Sequence, residues 1–379
     1  MVNINSFAYF AFLTLLGGKT FAAPTSPQEA FDALGNLKGF DDFKIKDILH
    51  FPLTRKKYAM KLLRHNATAP DKLKNQGQFY SLTVYVGSEK KAANVVFDTG
   101  SSDLWVKSEV YNPNNSVTAK DLNTPFEVEY GSGEIKGQFY KDDVSLSIAG
   151  KDFAHDLQLG IGEEGQGNEG FDGILGVGLS GEESTKDIYP NYPEVLANQG
   201  TIKKNAYSVY LGSADAPGGA VLFGGIDNAK HEGSLVKLPF SGSGENVNRS
   251  MVTLNNLDLG DNENKLHINE PVLLDTGTTY TMLPPLAAKE IESKFGSCSQ
   301  TSGNVTFEFD GVSIDVPYSD IASEEDGECT VKVQSSSLSI PILGDNFLRH
   351  AYVLFDNKDK TASLAQARYT NSSDIHPIT

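Results

Sequence analysis

The chain has 379 residues, 36 glycines, 10% aromatic residues, 21% charged residues and a formal net charge of −17. That length exceeds one ordinary core and predicts two lobes plus removable segments, while the composition excludes a disordered or collagen-like chain. No basic stretch is long enough to track a phosphate backbone, so nucleic acid is not an expected partner.

Residues 1–22 read as a secretory signal. Phe7 to Gly18 is an apolar run too short to span a bilayer, and Thr20 and Ala22 place small residues before a cut after Ala22, although no Lys or Arg precedes the run. No later stretch is long and apolar enough for a membrane span, and the polar Asn371-Ser372-Ser373-Asp374 ending lacks the hydrophobic tail of a glycolipid anchor. A secreted, extracellular protein without a membrane anchor is therefore expected, with the vacuole or cell wall as alternative destinations. Five N-x-[ST] sequons, starting at Asn66, Asn114, Asn248, Asn304 and Asn371, agree with a glycoprotein.

Residues 23–65 read as a propeptide. From residue 24 to 65 there are eight Lys/Arg against five Asp/Glu, a net of +3, whereas residues 66–379 carry 23 against 44, a net of −21. A basic leader on an acidic body is held by electrostatics at neutral pH, and the attraction fades as carboxylates protonate. An ordinary helical extension is the other reading of this segment.

From Phe79 the pattern turns to short alternating runs, Tyr80-Leu82-Val84-Val86, Ala93-Val95-Phe97 and Phe126-Val128-Tyr130, punctuated by Gly, Asn and Asp, which read as strands and turns. Helical windows are few. The best is Pro284 to Phe295, with Leu286, Ile291 and Phe295 as its apolar positions. The Gly-, Ser- and Asn-rich stretch Ser241 to Asn248 is either a surface loop or a connector, and it sets expected lobes at 66–245 and 246–379.

An internal repeat organises the body. Val95-Val96-Phe97-Asp98-Thr99-Gly100-Ser101 returns as Val272-Leu273-Leu274-Asp275-Thr276-Gly277-Thr278. Each copy is followed by an Ile-Leu-Gly, Ile174-Leu175-Gly176 after the first and Ile342-Leu343-Gly344 after the second. The same order of landmarks predicts two similar β-rich lobes facing each other.

Each repeat ends an apolar strand in a carboxylate. The glycine permits a tight turn that brings backbone N–H groups close, and Ser101 or Thr278 can hydrogen-bond its own aspartate. Brought together, two such loops give carboxylates that resist double ionisation and hold one proton between them across acid pH. One then takes a proton from water while the other polarises a peptide carbonyl. This chemistry requires no metal and no cofactor, and neither is expected. The two cysteines, Cys298 and Cys329, are an even count that suggests a disulfide in a secreted chain, and with seven scattered histidines they make no zinc site.

The motifs resemble those of the pepsin-type aspartic proteases, most closely the secreted fungal candidapepsin and yapsin group. Asp98-Thr99-Gly100-Ser101-Ser102-Asp103-Leu104-Trp105-Val106 and Leu274-Asp275-Thr276-Gly277-Thr278-Thr279 are similar to the two active-site signatures. Lys204 to Ser208, Phe223 to Lys230 and Ile342 to Arg349 are similar to the fungal branch, and the likeness runs from about Tyr80 to Thr370. The resemblance implies a mainly β, bilobal pepsin-like acid protease fold with the active-site cleft between two similar β-lobes. It implies an aspartic endopeptidase with Asp98 and Asp275 catalytic, and with Thr99, Gly100, Ser101, Thr276, Gly277 and Thr278 supporting them. It implies that Tyr130-Gly131-Ser132-Gly133 is a flap over substrate, the Tyr130 hydroxyl bonding to Trp105, with Thr279 also on the substrate.

The same resemblance implies a monomeric zymogen whose propeptide inhibits it and whose substrates are proteins or peptides. His50-Phe51-Pro52-Leu53-Thr54-Arg55-Lys56-Lys57 then either brings a basic side chain to the dyad or is itself a processing site. Cys298 and Cys329 resemble the group's C-terminal-lobe disulfide, contributing about 3 kcal/mol. The N-terminal-lobe pair of that group is missing, so the loop from Lys107 to Lys120 is expected to be shorter or held by packing.

Two G-x-G-x-x-G strings, starting at Gly160 and Gly176, open no strand-helix-strand unit, and acids flank the first, so nucleotide binding is not expected. The rival from another class is a protease-like binding protein without activity. Such a protein is expected to have lost an aspartate motif or the flap tyrosine, and all three are intact.

Overall fold

The computed structural model describes residues 47–59, 76–130, 133–148, 153–163, 170–216, 218–241, 247–260, 265–300, 302–325, 327–336 and 340–379. The expected signal segment, most of the leader, and Gly131 and Ser132 of the expected flap lie outside the described residues.

The first half contributes β1 (Leu49–Ala59), β2 (Gln76–Val86), β3 (Lys91–Asp98), β4 (Leu104–Lys107), β5 (Lys120–Tyr130), β6 (Gly133–Ser145), β7 (Ala154–Gly162), β8 (Gly173–Gly176), helix α1 (Tyr192–Asn198), β9 (Ala206–Tyr210) and β10 (Gly218–Phe223). Then come β11 (Gly225–Asp227), β12 (Val236–Pro239), β13 (Met251–Asp258), β14 (Lys265–Leu274), β15 (Thr281–Leu283), α2 (Pro285–Phe295), β16 (Asn304–Phe309) and β17 (Val312–Pro317). The chain closes with α3 (Tyr318–Ile321), β18 (Ala322–Glu325), β19 (Glu328–Val331), β20 (Val333–Ser335), β21 (Ile342–Leu343), α4 (Asp345–Leu348), β22 (Ala351–Asp356), β23 (Thr361–Gln366) and β24 (Ile375–Pro377).

Among the described residues one sheet runs β12-β23-β22-β9-β10-β1-β2-β3-β8-β4-β7-β6-β5, and a second runs β17-β16-β13-β14-β21-β15-β20. The first draws β22 and β23 from the end of the chain onto β9, so residues far beyond 245 share a sheet with the first half. That long-range pairing has no local signature. The two repeats are legible because each occupies the same place in its own sheet. β3 pairs parallel with β8, and β14 pairs parallel with β21. Parallel strands are covered on both faces and read as continuous apolar runs: Val95 to Asp98 and Val272 to Leu274 are buried throughout.

The expected helix forms as α2, but one of its three apolar positions faces water. Leu286 is 82% exposed, while Ala287, Ile291 and Phe295 are buried. Those three are spaced by four and share one face; Leu286, five residues before Ile291, points roughly 140° away from it.

The loop from Lys107 to Lys120 is held by a buried carboxylate. Asp142, fully buried on β6, accepts from the hydroxyl of Tyr111, from Thr118 Oγ1 at 2.5 Å and from the backbone N–H of Asp143 at 2.8 Å. Polar packing thus restrains the rim in place of the missing cysteine pair. In the second lobe Cys298 and Cys329 are joined as a disulfide. Asp142→Ala leaves Tyr111 and Thr118 without their acceptor and is expected to lower the unfolding free energy by about 2 kcal/mol. Urea denaturation measures this, and a loss below about 0.5 kcal/mol would show that other contacts hold the loop.

Candidate active site

β3 and β14 each deliver an aspartate to the turn that follows. Asp98 accepts from Gly100 N at 2.8 Å and from Ser101 Oγ at 2.5 Å. Asp275 accepts from Gly277 N at 2.7 Å and from Thr278 Oγ1 at 2.6 Å. The two loops thus repeat one another bond for bond. Behind them, Val177 N donates to Asp98 O at 2.9 Å and Asp275 N to Leu343 O at 3.1 Å, which is how the two Ile-Leu-Gly landmarks seat the aspartates.

Two threonines fasten the loops to each other. Thr99 Oγ1 donates to Leu274 O at 2.8 Å and accepts from Thr276 N at 3.0 Å. Reciprocally, Thr276 Oγ1 donates to Phe97 O at 2.7 Å and accepts from Thr99 N at 3.1 Å. Both side chains are 1% exposed, so all four bonds are sheltered from water.

The cross-link brings the carboxyls together over the glycines. A Cβ on Gly100 would stand 2.5 Å from Asp275 Cγ, and one on Gly277 would stand 2.6 Å from Asp98 Oδ1. Only glycine admits that approach. Burial first, and the charge of Asp275 second, hold the Asp98 carboxyl well above the usual 3.8. A pair in this state keeps a proton where a lone aspartate would have lost it.

The wall of the site comes from the β5–β6 hairpin. Tyr130 ends β5 opposite Gly133, and its hydroxyl accepts from Trp105 Nε1 at 2.9 Å. Trp105 is fully buried with Phe79, Phe126, Phe139 and Tyr189. Burial, then the Asp98 charge, pushes the Tyr130 phenol up, so it stays a neutral hydroxyl. Thr279 is half-buried on the second loop, where its carbonyl accepts from Asn346 N at 3.3 Å.

Several supports had no signal of their own in the sequence. Asn357 Nδ2 reaches the carbonyls of Val177 and Gly178 at 3.2 Å, and Tyr207 donates to Val177 O at 2.9 Å, bracing the first loop. Asn346 Oδ1 accepts from Thr281 N and Oγ1, both at 2.8 Å, bracing the second. Asp345 is fully buried with neither carboxylate oxygen hydrogen-bonded. Burial raises its pKa, and the nearby Asp275 charge adds to that against Arg349. Tyr207 and Asn346 lie in stretches whose resemblance was legible, but their partners are distant in the chain.

The chain is a member of the eukaryotic aspartyl protease family, whose model matches residues 79–367. It is 36% identical over 347 residues to secreted aspartic protease 8 of Candida albicans, spanning 82% of this chain and 81% of that protein. It is 35% identical over 371 residues to candidapepsin of Candida tropicalis, spanning 87% and 90%. The fold is shared with the aspartic proteinase from Irpex lacteus at a TM-score of 0.66 and 23% identity, over 78% of this chain and 96% of that one. The pepsin-like fold and the likeness to candidapepsins read from the sequence are thus borne out, and the enzyme class is aspartic endopeptidase.

Two further carboxyls set a pH window for stability. Glu183 is buried with neither oxygen hydrogen-bonded, and burial above all pushes it up to about 9. Its contribution is complete below the ordinary 4.5 and is lost as pH rises through 9. Burial alone would raise Asp320, but hydrogen bonds from His350 Nε2 and Arg349 Nη2, both 2.6 Å, bring it down to about 2. Its contribution is present above 3.8 and is lost as pH falls through 2. Both are in force only in moderate acid. Glu183→Gln is expected to narrow the gap in melting temperature between pH 4 and pH 8; an unchanged gap would place the alkaline weakness elsewhere.

Proposed function

We propose that this protein is a secreted endopeptidase that hydrolyses internal peptide bonds at acid pH, through a water activated between Asp98 and Asp275. The observation that carries the reading is the pair of matched aspartate loops, cross-fastened by Thr99 and Thr276, with a raised Asp98 facing Asp275. The substrate is an extended chain lying in the cleft. The carboxylate of one aspartate takes a proton from water, and the protonated partner donates to the scissile carbonyl oxygen. Water attacks the carbonyl carbon, and the resulting gem-diol collapses with proton delivery to the leaving amine. Ser101 and Thr278 orient the carboxylates. Tyr130 and Thr279 line the bound main chain, and the neutral Tyr130 hydroxyl is held in place by Trp105.

The relatives' names, secreted aspartic protease and candidapepsin, support export of this chain, which we assign to a signal ending at Ala22. We also assign residues 23–65 to a propeptide, making the product of translation a zymogen. The charge contrast of +3 against −21 supports attachment of this segment at neutral pH. The mature protein acts as a monomer and requires no metal or cofactor in this mechanism.

Asp98→Asn and Asp275→Asn are each expected to leave a folded, secreted protein with cleavage of acid-denatured haemoglobin reduced at least about 1,000-fold. The wild-type fragments should vanish with a statine-type inhibitor. Retention of more than about a tenth of the wild-type rate in either variant would show the pair to be misassigned. Tyr130→Ala should lower turnover with the far-ultraviolet dichroism unchanged.

A further inference from the structure

The loop that joins β8 to α1 lies against the first aspartate turn. Ser102 Oγ donates to Leu179 O at 2.6 Å, and Asn191 Nδ2 donates to Gly178 O at 2.8 Å. Between these anchors, from Gly181 to Pro190, only Glu183 and Tyr189 are buried. A surface stretch held by so few buried side chains can open locally while the sheets stay closed.

Both holding points lie at Asp103, which immediately precedes β4 and is 2% exposed. The Tyr189 hydroxyl donates to Asp103 Oδ1. Ser184 N, next in the chain to Glu183, donates to Asp103 Oδ2 at 2.8 Å. The Tyr189 ring packs edge-on against Phe139 at 5.9 Å, in the buried cluster that contains Trp105. Trp105 Nε1 in turn holds the Tyr130 hydroxyl. Asp103 is thus linked through Tyr189 to the wall of the site.

Glu183 has neither carboxylate oxygen hydrogen-bonded. Acids face it from each neighbouring element: Asp103 from the turn before β4, Glu194 from α1 and Glu182 from its own loop. Arg249, just before β13, is joined to Glu182, and Glu194 accepts from Ser180 Oγ. Burial above all, with the charges of Asp103, Glu194 and Glu182 adding to it, pushes the Glu183 carboxyl up to about 9. As a neutral acid Glu183 can stay under the loop. As an anion it needs water, and hydrating it requires the loop to lift. Lifting takes Ser184 N and the Tyr189 hydroxyl off Asp103, and the Tyr189 ring out of the cluster that backs Trp105.

We propose that Asp103 and Tyr189 are positioning residues for the reaction, holding the Trp105–Tyr130 wall from behind, and that Glu183 in its protonated form keeps their loop closed. The inference rests on the protease reading, in which that wall faces substrate. Above neutral pH, ionisation of Glu183 frees the loop and loosens the wall while the two sheets remain folded.

Trp105 is the single tryptophan of the chain, so its emission reports this cluster. The secreted protein is titrated from pH 4 to pH 9 while emission and far-ultraviolet dichroism are followed. The expected result is a shift of emission to longer wavelength above neutral pH with the dichroism unchanged. Glu183→Gln and Glu183→Leu, neither of which can ionise there, are expected to move its midpoint up by at least about one pH unit. No shift up to pH 9, an unmoved midpoint in both variants, or a shift that coincides with loss of dichroism would overturn the role of Glu183. Tyr189→Phe keeps the ring and drops the bond to Asp103. It is expected to lower kcat for a short peptide about fivefold at pH 4, with KM within about twofold of the wild type. A wild-type kcat in that variant would overturn the positioning role. The emission needs no catalysis: a shift that the Glu183 variants move, in a protein without proteolysis, would count against the protease reading and leave the loop assignment standing.

Discussion

The site depends on one constraint, the reciprocal bonding of Thr99 and Thr276. Each hydroxyl donates to a carbonyl at the end of the opposite strand and accepts from the opposite threonine N–H, so neither loop can shift alone. Buried hydrogen bonds of this kind are costly to leave unmade. The pairing offsets the tendency of two buried carboxyls to move apart. It fixes the carboxyls over Gly100 and Gly277, where a side chain of any size would collide with the opposite aspartate.

The rest of the fold supplies what this constraint needs. Two parallel strand pairs bring each aspartate out of an apolar interior. Asn357 and Asn346 satisfy carbonyls and N–H groups beneath the loops from elements far along the chain. The aromatic cluster around Trp105 stiffens the turn end of the hairpin at Tyr130. The same burial that raises Asp98 also raises Asp103, Glu183 and Asp345, so much of the buried acid in this protein favours the protonated form. The stability contributed by these acids therefore leans toward acid for one physical reason, the cost of a buried charge.

The aspartate loops were legible in the sequence because their determinants are local: an apolar strand, a carboxylate, a glycine and a hydroxyl within seven residues, twice. Tyr130 and Trp105 became legible only through resemblance, since a tyrosine before Gly-Ser-Gly is also an ordinary hairpin turn. Leu286 misled because apolar character alone does not tell which helix face turns inward. Least legible were the long-range pairings. Nothing near Ala351 announces a place beside β9, and the basic cluster at Arg55 hid the fact that its strand lies inside the main sheet.

The central claim is that Asp98 and Asp275 act as one proton-sharing unit. The most direct measurement is the pH dependence of kcat/KM for a short peptide substrate, taken from pH 1.5 to pH 8 on the processed protein. The account predicts a bell with two separated limbs, the alkaline one above the ordinary aspartate value of 3.8 because Asp98 is raised. A profile with a single limb that stays flat through neutral pH would contradict it.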